Sequence, residues 1–204
     1  MFPRVRALKQ LEELKKDVKK MRLAAEEWPS AFQTLISIIL SARTRDETTI
    51  VVCKKLFERF PTAERLSKAN VKEVEEVIKP VNFFQNKSKN IIECAKKIVK
   101  DFNGKIPHNI EKLVSLSGVG RKTANVFMSA YNHDAIGVDT HVNYISNYLG
   151  WANSQKPELI ERILKELFPK EKWNKINSTL VRFGKTHTSK FEKDKILDEI
   201  KKIE

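Results

Sequence analysis

Two glycines one residue apart, followed at once by two cations, mark the segment Leu116-Ser117-Gly118-Val119-Gly120-Arg121-Lys122-Thr123-Ala124-Asn125. Glycines at this spacing between helical stretches permit a tight turn with left-handed dihedrals and leave backbone N–H groups uncovered by Cβ atoms. Such N–H groups, at the start of a helix, can hold a phosphate oxygen. The plain alternative is a close helix–helix connection and nothing more. Arg121 and Lys122 weigh against it, because cations in a first helical turn oppose the macrodipole by roughly 0.3–1 kcal/mol each. A bound phosphate would reverse that sign. A neutral lysine amine attacks carbon and builds a Schiff base, which makes Lys122 a candidate nucleophile. Most exposed lysines do no more than solvate a surface, and that alternative stays open for Lys122 on this segment alone.

A second segment, Gly137-Val138-Asp139-Thr140-His141, supplies a carboxylate. An Asp at a helix start is ordinarily an N-cap, worth about 1 kcal/mol. A carboxylate is also what chemistry at a nucleotide C1′ requires. Breaking an N-glycosidic bond develops oxocarbenium-like charge that a carboxylate stabilises, and the same group can take a proton from an attacking amine.

The elements that must hold these residues read as helices throughout, with no alternating pattern that demands a sheet, so the expected fold class is all-α. Leu8, Leu11, Leu14, Val18 and Met21 form one apolar stripe on a first helix. AFQTLISIILSA, after Trp28-Pro29-Ser30, is apolar nearly all round and reads as a central core helix. Asp46, Thr62 and Asn70 look like helix starts. A helix over 86–102 is stopped by Asn103-Gly104, another spans about 109–116, and one begins near Arg121. Asn132-His133-Asp134 reads as a turn, Asp139 opens a helix ending at Gly150, and the last helix carries Ile196, Leu197, Ile200 and Ile203.

Of 204 residues, 39 are Lys or Arg and 26 Asp or Glu, a net charge of +13 that favours a polyanionic partner. Solvated helix faces account for many lysines equally well. No apolar run reaches the roughly 20 residues of a membrane span, and MFPRVRALKQLEELKK lacks a signal-peptide apolar region, so the expected setting is cytoplasmic. Cys53 and Cys94 stand apart at no metal-ligand spacing.

Taken together, GVGRKTAN followed by VDTH resembles the helix-hairpin-helix DNA glycosylase superfamily, specifically its endonuclease III branch. The likeness extends upstream to Leu40-Ser41-Ala42-Arg43-Thr44-Arg45-Asp46 and Asn86-Lys87-Ser88-Lys89-Asn90-Ile91. It implies two helical lobes with a DNA-binding cleft between them: a six-helix barrel over 23–135 with the hairpin at 116–122, and a lobe made of 1–22 with 136–204. It makes Lys122 the Schiff-base nucleophile and Asp139 the second catalytic residue. It gives DNA-binding roles to Gly118, Gly120, Arg121, Arg43, Phe83, Phe84, Lys87 and His141, with Arg43 and Phe83, alone or with Phe84, at the loops that fill the space left by an extruded nucleotide. The implied partner is double-stranded DNA carrying damaged bases or abasic sites, bound by a monomer associated with a prokaryotic nucleoid. The implied activity is a bifunctional glycosylase and abasic-site lyase acting on oxidised pyrimidines. A same-fold enzyme for mismatched uracil or thymine or for 8-oxoguanine, and a non-catalytic module that binds DNA structure, are the alternatives.

Departures from the family pattern carry expectations of their own. The four cysteines that commonly hold a [4Fe-4S] cluster have no counterpart in Phe183-Gly184-Lys185-Thr186-His187-Thr188, so no cofactor is expected, and packing of the Ile196–Ile203 segment is expected to substitute. Arg43 replaces a usual Gln, Tyr144 a usual basic residue, and Ser117 a usual Pro, which should loosen the turn slightly. Residues 1–22 and 151–204 together hold +9 of the charge, which places the electrostatic grip on the lobe built from both chain ends.

Overall fold

The structure is a computed structural model that describes residues 3–131 and 135–204; the turn expected at Asn132-His133-Asp134 lies outside them. Among the described residues there are twelve α-helices and no strand, as the helical periodicity requires. They are α1 (Pro3–Lys16), α2 (Ala31–Ser41), α3 (Asp46–Arg59), α4 (Ala63–Ser67), α5 (Val71–Ile78), α6 (Phe84–Phe102), α7 (Ile110–Val114), α8 (Arg121–Ala130), α9 (Thr140–Tyr148), α10 (Pro157–Leu167), α11 (Trp173–Thr186) and α12 (Lys190–Lys201). None of these helices is long and apolar enough to cross a membrane.

Side-chain caps set many of the starts. Ser30, Thr62, Asn70, Asn109, Asp139 and Ser189 each accept a hydrogen bond from a first-turn N–H of the helix that follows. Asp46 does not act this way. Arg45, in extended backbone, occupies the cap position, and Asp46 is the first helical residue, buried with its charge at the positive helix end. At the far end of α6, Asn103 and Gly104 are both left-handed, and the Gly104 N–H closes the helix on the Ile98 carbonyl at 3.1 Å.

The chain divides into two compact units, Arg22–Phe127 and a second made of Met1–Met21 with Met128–Glu204. In the first, α2 is the core helix its sequence announces, with eight of eleven residues buried, and α6 lies against α2, α4 and α5. Cys53 and Cys94 are buried within this unit.

In the second unit, α1 packs against α10, α11 and α12. Its helix stops at Lys16, so the expected stripe is helical only through Leu14, and Val18 joins the same core from irregular backbone. Gln10 is buried yet satisfied at both ends: its Oε1 accepts from Trp151 Nε1 at 2.7 Å, and its Nε2 donates to the Ile200 carbonyl at 3.2 Å. Leu197 and Ile200 of α12 are buried in this core. Two tyrosines of α9, one turn apart, face two aspartates of α12, also one turn apart: Tyr144 donates to Asp194, and Tyr148 to Asp198 at 2.9 Å. Burial and the Asp194 bond together push the Tyr144 phenol well above its ordinary value.

Candidate active site

Lys122 is the second residue of α8 and is exposed, in a first turn that holds Arg121 and no acid. The turn before it depends on Gly118, whose φ is +77° and where an added Cβ would approach Asn90 Cβ to 3.1 Å and Ile39 Cγ2 to 3.4 Å. Glycine there is demanded by both backbone and packing. Gly120 differs from the expectation: its φ is not left-handed, and a Cβ would meet nothing within 4 Å. Its side is open space directly before the α8 N–H groups, room that a phosphate needs. Ser117 does not simply loosen the turn, since its hydroxyl lies 3.2 Å from Asn90 Oδ1 and ties the hairpin to α6.

Asp139 is half-buried and caps α9, its Oδ1 accepting the Val142 N–H at 2.9 Å. Its Oδ2 has no hydrogen-bond partner among the described residues and can take a proton without giving up the cap. Two residues on, the His141 ring lies against α11 at Gly184, where an added Cβ would overlap the imidazole and come within 2.8 Å of Cγ. The VDTH histidine thus has a packing role that its expected DNA contact does not require. Tyr144 is turned to Asp194 of α12, so its phenol serves helix docking.

Arg43 and Phe83 are both exposed and come together, the guanidinium carbon 5.6 Å from the ring centroid. Both lie in left-handed backbone, at φ 58° and 59°, which is uncommon away from glycine. Phe83 is the exposed member of its pair, at 57%, whereas Phe84 is half-buried as the first residue of α6.

Lys87 corrects the expectation of a DNA contact. It is 7% exposed, and its Nζ donates to the carbonyls of Leu40 at 2.8 Å and Ala42 at 2.6 Å and to Thr44 Oγ1 at 3.4 Å. Its ammonium satisfies carbonyls at the C-terminal end of α2 and reaches no solvent-facing anion. Burial pushes its ammonium down to about 8.

The residues present do not fit an iron–sulfur cluster. A [4Fe-4S] centre takes four thiolates, whereas Cys53 and Cys94 are two thiols in α3 and α6, each pushed up to about 12 by burial. The segment that follows Phe183 carries α12, whose Asp194 and Asp198 accept from Tyr144 and Tyr148.

A helical hairpin that delivers a lysine at a helix start, with a capping aspartate further along, defines a class, and family comparison agrees. Residues 36–170 match the HhH-GPD superfamily base excision DNA repair proteins, and the chain belongs to that superfamily. Within it the chain falls in the endonuclease III branch. It is 39% identical over 176 residues to endonuclease III of Thermotoga maritima, covering 86% of this chain and 83% of that one. With endonuclease III of Bacillus subtilis it shares 37% identity over 160 residues, 76% of this chain and 72% of the other. The solved structure of a trapped endonuclease III–DNA covalent intermediate, an estranged-adenine complex, has a TM-score of 0.81 at 31% identity, over 93% of this chain and 89% of that one.

Proposed function

We propose that this protein is a bifunctional DNA glycosylase and abasic-site lyase of base excision repair, with Lys122 as nucleophile, Asp139 as its carboxylate partner and oxidised pyrimidines as substrates. The observation that carries the reading is the exposed Lys122 at the second position of α8, behind a turn fixed by Gly118 and opened by Gly120. Neutral Lys122 attacks C1′, and the glycosidic bond breaks with its electron pair leaving on the base, which gains a proton. The Asp139 carboxylate stabilises the developing positive charge and accepts the proton lost by the amine. Opening of the sugar leaves a C1′=N iminium that acidifies the C2′ hydrogen. Loss of that proton expels the 3′ phosphate by β-elimination, and water then hydrolyses the Schiff base to return the free lysine.

Extruding the target nucleotide costs a few kcal/mol of stacking and pairing, and Arg43 and Phe83 fill the vacated space, a role supported by the exposure of both side chains. The protein acts as a monomer in the cytoplasm, on double-stranded DNA, and without an iron–sulfur cluster; purified protein lacking visible charge-transfer absorbance would agree with the last point. Incubation with thymine-glycol or abasic-site duplex plus borohydride should give a covalent protein–DNA adduct that Lys122→Ala abolishes. A wild-type protein that forms no adduct refutes the assignment.

A further inference from the structure

The two exposed tips, Arg43 and Phe83, come from segments forty residues apart in sequence, and each sits in a left-handed conformation that local propensity does not favour. Something must hold both. Asn82 supplies part of the answer: its N–H donates to Thr44 Oγ1 at 3.2 Å, and its side-chain amide donates to the Arg43 carbonyl. The centre of the arrangement is Lys87. Its backbone N–H donates to the Phe83 carbonyl at 3.0 Å, while its ammonium reaches Leu40, Ala42 and Thr44 on the other segment. The backbone bond is the first of α6 and fixes Lys87 to the Phe83 loop, so its ammonium, with three donated hydrogen bonds, ties that loop to the other segment. A buried ammonium is a poor way to gain stability, because an apolar side chain avoids its desolvation. Its use here is geometric.

Building on the function proposed above, we propose that Lys87 is a positioning residue which locks the Arg43 and Phe83 loops into a single two-pronged element that holds the DNA open beside the extruded nucleotide. Preordering both prongs removes the entropy of arranging them at each encounter. Without Lys87 the Asn82 hydrogen bonds alone tie the two loops, the prongs are held less firmly, and DNA bound to the protein keeps its stacked form for more of the time.

The test uses a duplex carrying a reduced abasic-site analogue with 2-aminopurine as the opposite base, whose fluorescence reports unstacking. Wild type should bind it and raise the fluorescence. Lys87→Met should bind about tenfold more weakly and, at saturation, give a smaller rise, with far-UV circular dichroism unchanged. Thr44→Val, which removes an acceptor of both Lys87 and Asn82, should shift both readings in the same direction by a smaller amount; if Lys87→Met does not fold, Lys87→Gln, which loses the ammonium and keeps a polar side chain, should give the weaker binding and the smaller rise. Folded variants with wild-type affinity and fluorescence overturn the proposal, as does weaker binding with the full rise at saturation, the mark of a purely structural lysine. A wild-type protein that does not distinguish the abasic duplex from an undamaged one would instead overturn the underlying function.

Discussion

Asp139 has two tasks in this structure, and substitution separates them. Its Oδ1 caps α9 through the Val142 N–H at 2.9 Å, and its charge is assigned to the chemistry. Asp139→Asn keeps an oxygen in the cap and loses only the charge at the helix start, about 0.3–1 kcal/mol. Asp139→Ser also keeps a capping oxygen. Asp139→Ala loses the cap as well, about 1 kcal/mol more. For a protein of this size 1 kcal/mol moves the melting temperature by roughly 2–4 °C, so Asn and Ser should melt close to wild type and Ala a few degrees lower. The cleavage rate should rank differently. Removing a positioned proton acceptor costs roughly 10²–10⁴-fold, and all three variants lose it alike. Single-turnover cleavage of a thymine-glycol duplex with enzyme in excess, alongside thermal melting, measures both rankings. Rates that follow the melting temperatures, with Asn and Ser near wild type and Ala alone impaired, would reduce Asp139 to a cap and refute the assignment.

The two hairpin glycines should respond in opposite ways. Gly118→Ala places a side chain at φ +77° against Asn90 and should cost about 1–2 kcal/mol in chemical denaturation, whereas Gly120→Ala should leave stability unchanged while weakening duplex binding in a salt titration. Lys87 should titrate near 8 by NMR of labelled lysines. From there to its unfolded value of about 10.4 the unfolded chain holds a proton that the native state has released, so this residue's contribution to stability grows with rising pH through that window; a denaturation midpoint that Lys87→Met alters equally at every pH would contradict this. Deleting the segment after Thr188 removes buried Leu197 and Ile200, each worth about 1.5–3 kcal/mol, and should destabilise the protein measurably; an unchanged denaturation midpoint would show that α12 substitutes for nothing.

Local signals are legible in the sequence alone. Caps at Thr62, Asn70 and Asp139 lie within three residues of the N–H groups they satisfy, and the all-round apolar character of α2 reflects burial on every side. Asp46 misled because its residue type suits the cap and the first turn equally. Lys87 was illegible for a different reason. The Leu40 and Ala42 carbonyls that bury it are 47 and 45 residues upstream, and nothing in a lysine beside Asn86 and Ser88 announces that α2 will end above it. The roles of Tyr144 and of His141 against Gly184 were hidden in the same way, since each is set by a helix that comes later in the chain.

The split of the chain into Arg22–Phe127 and a unit containing both ends has a consequence for synthesis on the ribosome. The stretch from Arg22 to Phe127 is continuous and can complete its core as soon as it emerges. Helix α1 is made before that stretch, yet its partners α10, α11 and α12 are made after it. Its apolar face must wait, uncovered, for more than a hundred residues of translation. The alternation of Lys15, Lys16, Glu12 and Glu13 around Leu11 and Leu14 keeps that waiting segment charged, a safeguard against premature association of nascent chains.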